Sequence, residues 1–280
     1  MIALALNVLF SVGFGHVMKW ANYRQANVLW VGAWNYIGAT MACLAVTLAV
    51  PHPARGIAFT ITTGTWAGVC YLVSLLFYFA AVARVGVGIA SAVNRLSVAL
   101  PVVAALAVWH EHVAGAQAVA LVLVAVALPL LGSGQAGSRR GNLVLLTGLL
   151  APLFVITGLG QLAARIYSGG APATNTFLYL TALFAGAAVS ALVALGVRPI
   201  RLHRRDIGLG LLLGAVNVGV NLSLLAALRE LPSAVVFAVS SSAGVVLAAV
   251  SGVLIWRERL QRPAITGVAL AAVAVVLLTR

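Results

Sequence analysis

Ser91, Asn94, Arg95 and Val98 fall at i, i+3, i+4 and i+7, one face of a helix, within an apolar run over 87–108. An arginine at mid-depth in hydrocarbon costs at least about 2.5 kcal/mol on insertion scales, so Arg95 must face protein or water. A guanidinium held there can take a carboxylate or phosphate by paired hydrogen bonds. The alternative is a structural arginine satisfied by helix-end carbonyls and asparagine side chains.

Other polar residues lie at similar depth. Asn217 and Asn221 are spaced i, i+4, as are Asn7 and Ser11, and each pair makes one stripe on its helix. They can hydrogen-bond a substrate or serve as glue between helices. Ser240, Ser241 and Ser242 are consecutive, so they cannot share a face, and any of them can bond its own i−4 carbonyl. Tyr71, Ser74 and Tyr78 form a stripe that suits either a cavity wall stacking on a planar group or plain core packing. His16 and Gln161 stand beside Gly-x-Gly pairs at matching places in the chain.

The four acids, Glu111, Asp206, Glu230 and Glu258, all fall at the ends of apolar runs or between them. No carboxylate is placed to shuttle a proton at mid-depth, which leaves His16 as the titratable group near neutral pH. Neither a phosphate-binding glycine loop, a zinc-ligand cluster nor a Gly-x-Ser-x-Gly elbow is present, so no catalytic residue, metal or cofactor is expected. His110-Glu111-His112 is the one catalytic-looking cluster. Its second copy, Arg257-Glu258-Arg259, lacks both histidines, which makes a membrane-embedded enzyme the remote alternative.

These side chains must be held by helices in a membrane. The chain of 280 residues is 63% hydrophobic and 8% charged, against about 25% charged in an average globular domain. Ten apolar runs of membrane-spanning length lie near 2–18, 28–50, 63–83, 87–108, 114–132, 142–164, 174–197, 207–228, 233–255 and 263–279. They are continuously apolar, whereas a barrel strand alternates over about ten residues, so the expectation is all-α. The net charge of +13 comes from arginines between these runs, and with no basic stripe or stacking platform a nucleic-acid partner is excluded. Cys43 and Cys70 sit inside spans and imply no disulfide framework.

The sequence also repeats. Trp109-His110-Glu111 recurs as Trp256-Arg257-Glu258, and Val98–Leu131 aligns without a gap on Val245–Leu278 with eleven identities in 34 positions. That alignment pairs Asn94 and Arg95 with Ser241 and Ser242. Gly64 and Gly68 match Gly210 and Gly214, both Gly-x-x-x-Gly pairs that permit close helix approach. The glycine-rich stretch Gly132–Gly141 divides the chain into repeats over 1–135 and 136–280. Five spans per repeat is odd, so the second repeat enters from the opposite face and the two are inverted, an arrangement that supplies alternating access.

Ser97-x-x-x-Pro101 through Trp109-x-Glu111, repeated as Trp256-x-Glu258 with Gly267, resembles the EamA-type half of the drug/metabolite transporter superfamily. The resemblance covers nearly the whole chain and implies ten helices in two units. Ala248 stands where Pro101 would recur, and Asn35 lies near where many members carry an arginine. Members typically have cytoplasmic termini. Here the connections after odd-numbered spans hold twelve Lys and Arg against four on the other side, and the positive-inside rule then places both termini outside.

The expectation is a secondary transporter of a small polar, anionic metabolite in the plasma (inner) membrane of a bacterium. It would work by alternating access around a cavity built from spans 1, 3, 4, 6, 8 and 9. Arg95 would bind the negative group, and Asn94, Asn217, Asn221 and Ser241 the remainder. Tyr71 and Tyr78 would form an apolar wall, with Asn7, His16 and Gln161 as further contacts. Its partners are the substrate, the lipid bilayer and a coupling ion or counter-substrate. The alternative is an exporter of amphipathic or aromatic compounds or amino acids.

Overall fold

The computed structural model describes residues 1–51, 56–85, 90, 93–94, 96–111, 115–116, 118–123, 126, 143–196, 202–257 and 262–278. Among them the secondary structure is helical and contains no strand. In chain order the helices are α1 (Ile2–Tyr23), α2 (Val28–Ala49), α3 (Ile57–Val85), α4 (Ala99–Ala107), α5 (Leu143–Gly170), α6 (Thr176–Gly196), α7 (Arg204–Glu230), α8 (Ser233–Trp256) and α9 (Arg262–Leu278). A 3-10 turn, Ala173–Asn175, leads into α6. Seven of the described helices are long and apolar enough to cross a membrane, and the chain is an integral membrane protein.

Helix ends follow local chemistry. Asn27 caps α2, its side chain accepting from the amides of Leu29 and Trp30 at 3.0 and 3.3 Å. Beyond α1, Gln25 turns the chain with φ of 53°, and Arg257 closes α8 in the left-handed region. Several helices outrun the apolar stretches that announce them. The first, expected over 2–18, continues to Tyr23 because nothing in Lys19-Trp20-Ala21-Asn22 breaks a helix and the i−4 ladder carries on past the apolar run.

The chain divides into two compact units, Met1–Leu72 with Ala163–Glu230 and Val73–Leu162 with Leu231–Arg280. Each draws on both halves of the sequence. In the first unit α2 packs on α6 and α7, and α1 packs on α7. Glycine makes this possible. A Cβ at Gly214 would meet the Asn35 carbonyl at 2.6 Å, and one at Gly210 the Val31 carbonyl at 2.8 Å. On the other pair of helices, a Cβ at Gly64 would meet the Tyr179 carbonyl at 2.6 Å, and Gly68 leaves no room for one beside Leu183. The two glycine pairs lie 146 residues apart, and the carbonyls they face 148 apart. Tyr167 and Tyr179 stack in the core of this unit, centroids 4.1 Å apart, and Leu180, Phe184 and Leu213 are fully buried in the same unit.

In the second unit Ala81, Ala90 and Leu153 are buried together, with Phe77, Tyr78, Val93 and Leu150 packed around them. Gly158 of α5 lies against the Ser97 carbonyl and Leu100. Helix α8 packs on α9 and on α4.

Candidate polar binding residues in each unit

In the first unit three helices contribute to one chain of uncharged polar groups. The Asn217 carboxamide on α7 donates to Asn35 Oδ1 on α2 at 3.2 Å. Asn221, one turn on, donates through Nδ2 to Asn217 Oδ1 and to the Asn217 carbonyl, both at 3.0 Å. Tyr71 Oη on α3 donates to Asn221 Oδ1 at 3.1 Å. The three asparagines are buried. Each sits far from its helix ends, where an unpaired amide would cost several kcal/mol in hydrocarbon. Linked this way, each bond polarises the next. Asn7 is buried on α1 and donates to the Val220 carbonyl at 2.9 Å, fastening α1 to α7. His16 is half-buried on α1.

The second unit holds a separate set. Thr157 of α5 donates to Asn94 Oδ1 at 3.2 Å, and Gln161 Nε2, one turn further, donates to Ser97 Oγ at 3.3 Å. Ser97 in turn donates to the Asn94 carbonyl at 2.6 Å. Ser241 is half-buried on α8. Its neighbours differ: Ser242 bonds the Ala238 carbonyl at 2.6 Å, and the buried Ser240 Oγ has no hydrogen-bond partner. Tyr78 packs into the Ala81 cluster. Arg95 lies outside the described residues.

Acids secure the helix ends. Asp206, fully buried in the first turn of α7, accepts the Asn27 amide at 3.0 Å and the His203 amide at 3.1 Å. It thereby ties the α1–α2 connection to the start of α7, where its charge also suits the helix dipole. Glu111 accepts from Ser233 Oγ at 2.5 Å and the Ala234 amide at 3.1 Å, capping α8. At the far end of α7, Arg229 donates twice to the Ala171 carbonyl at 3.1 Å and lies over the Tyr167 ring.

The structure thus groups Tyr71, Asn217 and Asn221 with Asn35, and separately Asn94 and Gln161 with Ser97 and Thr157. Asn35 stood out in the sequence only as the residue near a frequent arginine, and Thr157 gave no signal, being one hydroxyl among many. The i, i+4 spacing of Thr157 and Gln161 was the cue available. Neutral amides, hydroxyls and phenols can bind and orient a polar molecule but offer no nucleophile or general base at neutral pH.

Residues 143–280 match the EamA-like transporter family, one of membrane transporters of the drug/metabolite type. A crystal structure of another protein is similar in fold, with a TM-score of 0.77 at 17% identity, covering 100% of this chain and 98% of that one. No curated protein matches the sequence.

Proposed function

We propose, from the membership of residues 143–280 in the EamA-like transporter family, that the chain is a secondary transporter of a small polar, anionic metabolite. It works by alternating access between inverted repeats of five spans each. The observation that carries this reading is the chain of buried neutral groups from Asn35 through Asn217 and Asn221 to Tyr71. A helix bundle that needed only to stand in a membrane gains little from three buried carboxamides, because such hydrogen bonds contribute about 0.6 kcal/mol on average there. A carrier needs groups that can exchange one partner for another as the substrate arrives and leaves.

Two further observations support the topology. Among the described residues, four ties between helix ends join points an even number of predicted spans apart, as ten crossings require: Asn27 with Asp206, Arg229 with Ala171, the N-terminal amine with Glu230, and Glu111 with Ser233. The close packing at Gly64 and Gly68 is also repeated at Gly210 and Gly214, where the two glycines again face backbone carbonyls four residues apart.

In the first unit Asn217, Asn221 and Tyr71 offer hydrogen bonds to the substrate. In the second, Asn94, Gln161 and Ser241 do so, and Arg95, beside Asn94 in sequence, takes the negative group. With no carboxylate at mid-depth, exchange against a counter-substrate or facilitated diffusion drives the cycle. The test is uptake into proteoliposomes from a panel of radiolabelled mono- and dicarboxylates and inorganic phosphate. Arg95→Ala should lower uptake of the accepted anion about 100-fold, the loss of a charge-assisted contact of roughly 3 kcal/mol, while the protein stays monodisperse. Undiminished uptake would remove the anion and favour the exporter of amphipathic or aromatic compounds.

A further inference from the structure

The end of the first unit at the α1–α2 connection concentrates positive charge and exposed aromatic surface in one place. Arg205 Nη2 donates to the Gln25 carbonyl at 2.9 Å, and the Asn27 amide reaches Asp206, so the α1–α2 connection and the first turn of α7 are side by side. Arg24, Arg204 and Arg205 are exposed, as is His203. Among the described residues the carboxylate beside them is Asp206, fully buried, which accepts two backbone amides and pairs with Arg205 Nε at 4.0 Å and His203 Nδ1 at 3.6 Å. One carboxylate against three guanidinium groups leaves a net positive charge, carried by Arg24 and Arg204. Trp20 is 39% and Tyr23 76% exposed, and the Arg24 guanidinium lies 5.6 Å from the Trp20 ring centroid.

We propose that this end of the unit binds the phosphodiester headgroup of an anionic bilayer lipid. Exposed Trp and Tyr mark headgroup depth in a membrane protein, where rings with one polar edge settle. Arginines at that depth meet phosphate before anything else, and a guanidinium can grip two of its oxygens. The charge alone would also suit a soluble anion. Trp20 and Tyr23 favour the lipid, since they supply apolar surface for the glycerol and upper acyl region next to the cations. The site is independent of the transport reading, and the carbonyl of Gln25 with the buried Asp206 fixes its geometry.

The test is native mass spectrometry of the purified full chain in detergent, titrated with phosphatidylglycerol or phosphatidylcholine. Phosphatidylglycerol should bind about tenfold tighter than phosphatidylcholine. Arg24→Gln with Arg204→Gln should abolish that preference, and Arg257→Gln, an exposed cation of the other unit, should leave it intact. Inorganic phosphate should not displace the bound lipid. Raising salt should weaken the wild-type preference, a readout that survives even where the double variant misfolds. Equal binding of the two lipids, a preference kept by the folded double variant, displacement by inorganic phosphate, or indifference to salt would each overturn the proposal.

Discussion

A buried carboxamide is worth keeping only if both its ends are met, and the asparagines of the first unit differ in how much hangs on them. Asn217 gives its amide to Asn35 and its oxygen to Asn221, so removing it strands an acceptor on one neighbour and weakens a donor on the other. Asn7 only adds a donor to the Val220 carbonyl, a helical backbone group with other means of satisfaction. Asn217→Ala should therefore destabilise the protein by about 1–3 kcal/mol, against roughly 0.6 kcal/mol for Asn7→Ala. Thermal unfolding in detergent should rank the two variants in that order, and the reverse order would mean that the linked carboxamides carry no more than isolated glue. The i, i+4 spacing of Asn217 and Asn221 was plain in the sequence, because it is a property of one helix. Their partners Asn35 and Tyr71 come from elements about 150 residues or more away in sequence, joined only by packing, and no spacing rule reaches that far.

At the scale of elements, small residues govern how closely helices approach where water cannot drive them together. Gly68 and Gly214 each bring a helix against its neighbour's backbone, while Gly208, two residues before Gly210 on the same helix, faces nothing within 4 Å. Gly214→Val and Gly68→Val should each lower stability by about 1–3 kcal/mol through overpacking. Gly208→Ala should raise it slightly, by about 0.5–1 kcal/mol, through improved helix propensity. Thermal shifts of the three variants decide this, and equal tolerance of all three substitutions would contradict the close-approach geometry. The glycine spacing and the apolar runs were legible because both are periodic along one helix. Helix ends were less so: α1 runs on to Tyr23 and α3 begins at Ile57, since hydropathy falls away before the hydrogen-bond ladder stops. The role of Glu111 in Trp109-x-Glu111 was hidden for another reason. Its partner, the start of α8, lies 122 residues away.

For the whole molecule, the duplicated sequence announced two repeats, and within the first unit one glycine contact pattern is written twice, at Gly64 and Gly68 and at Gly210 and Gly214. The sequence repeats run one after the other, whereas each compact unit takes helices from both. That exchange is invisible to alignment, which compares segments without saying which of them touch. The central claim is that polar groups such as Tyr71 meet solution from either face of the membrane in turn. The most direct measurement places a single cysteine there, Tyr71→Cys with Cys43→Ala and Cys70→Ala, in right-side-out and inside-out vesicles treated with a membrane-impermeant methanethiosulfonate. The account predicts modification from both faces; a thiol that reacts from one face only, or from neither, would contradict it.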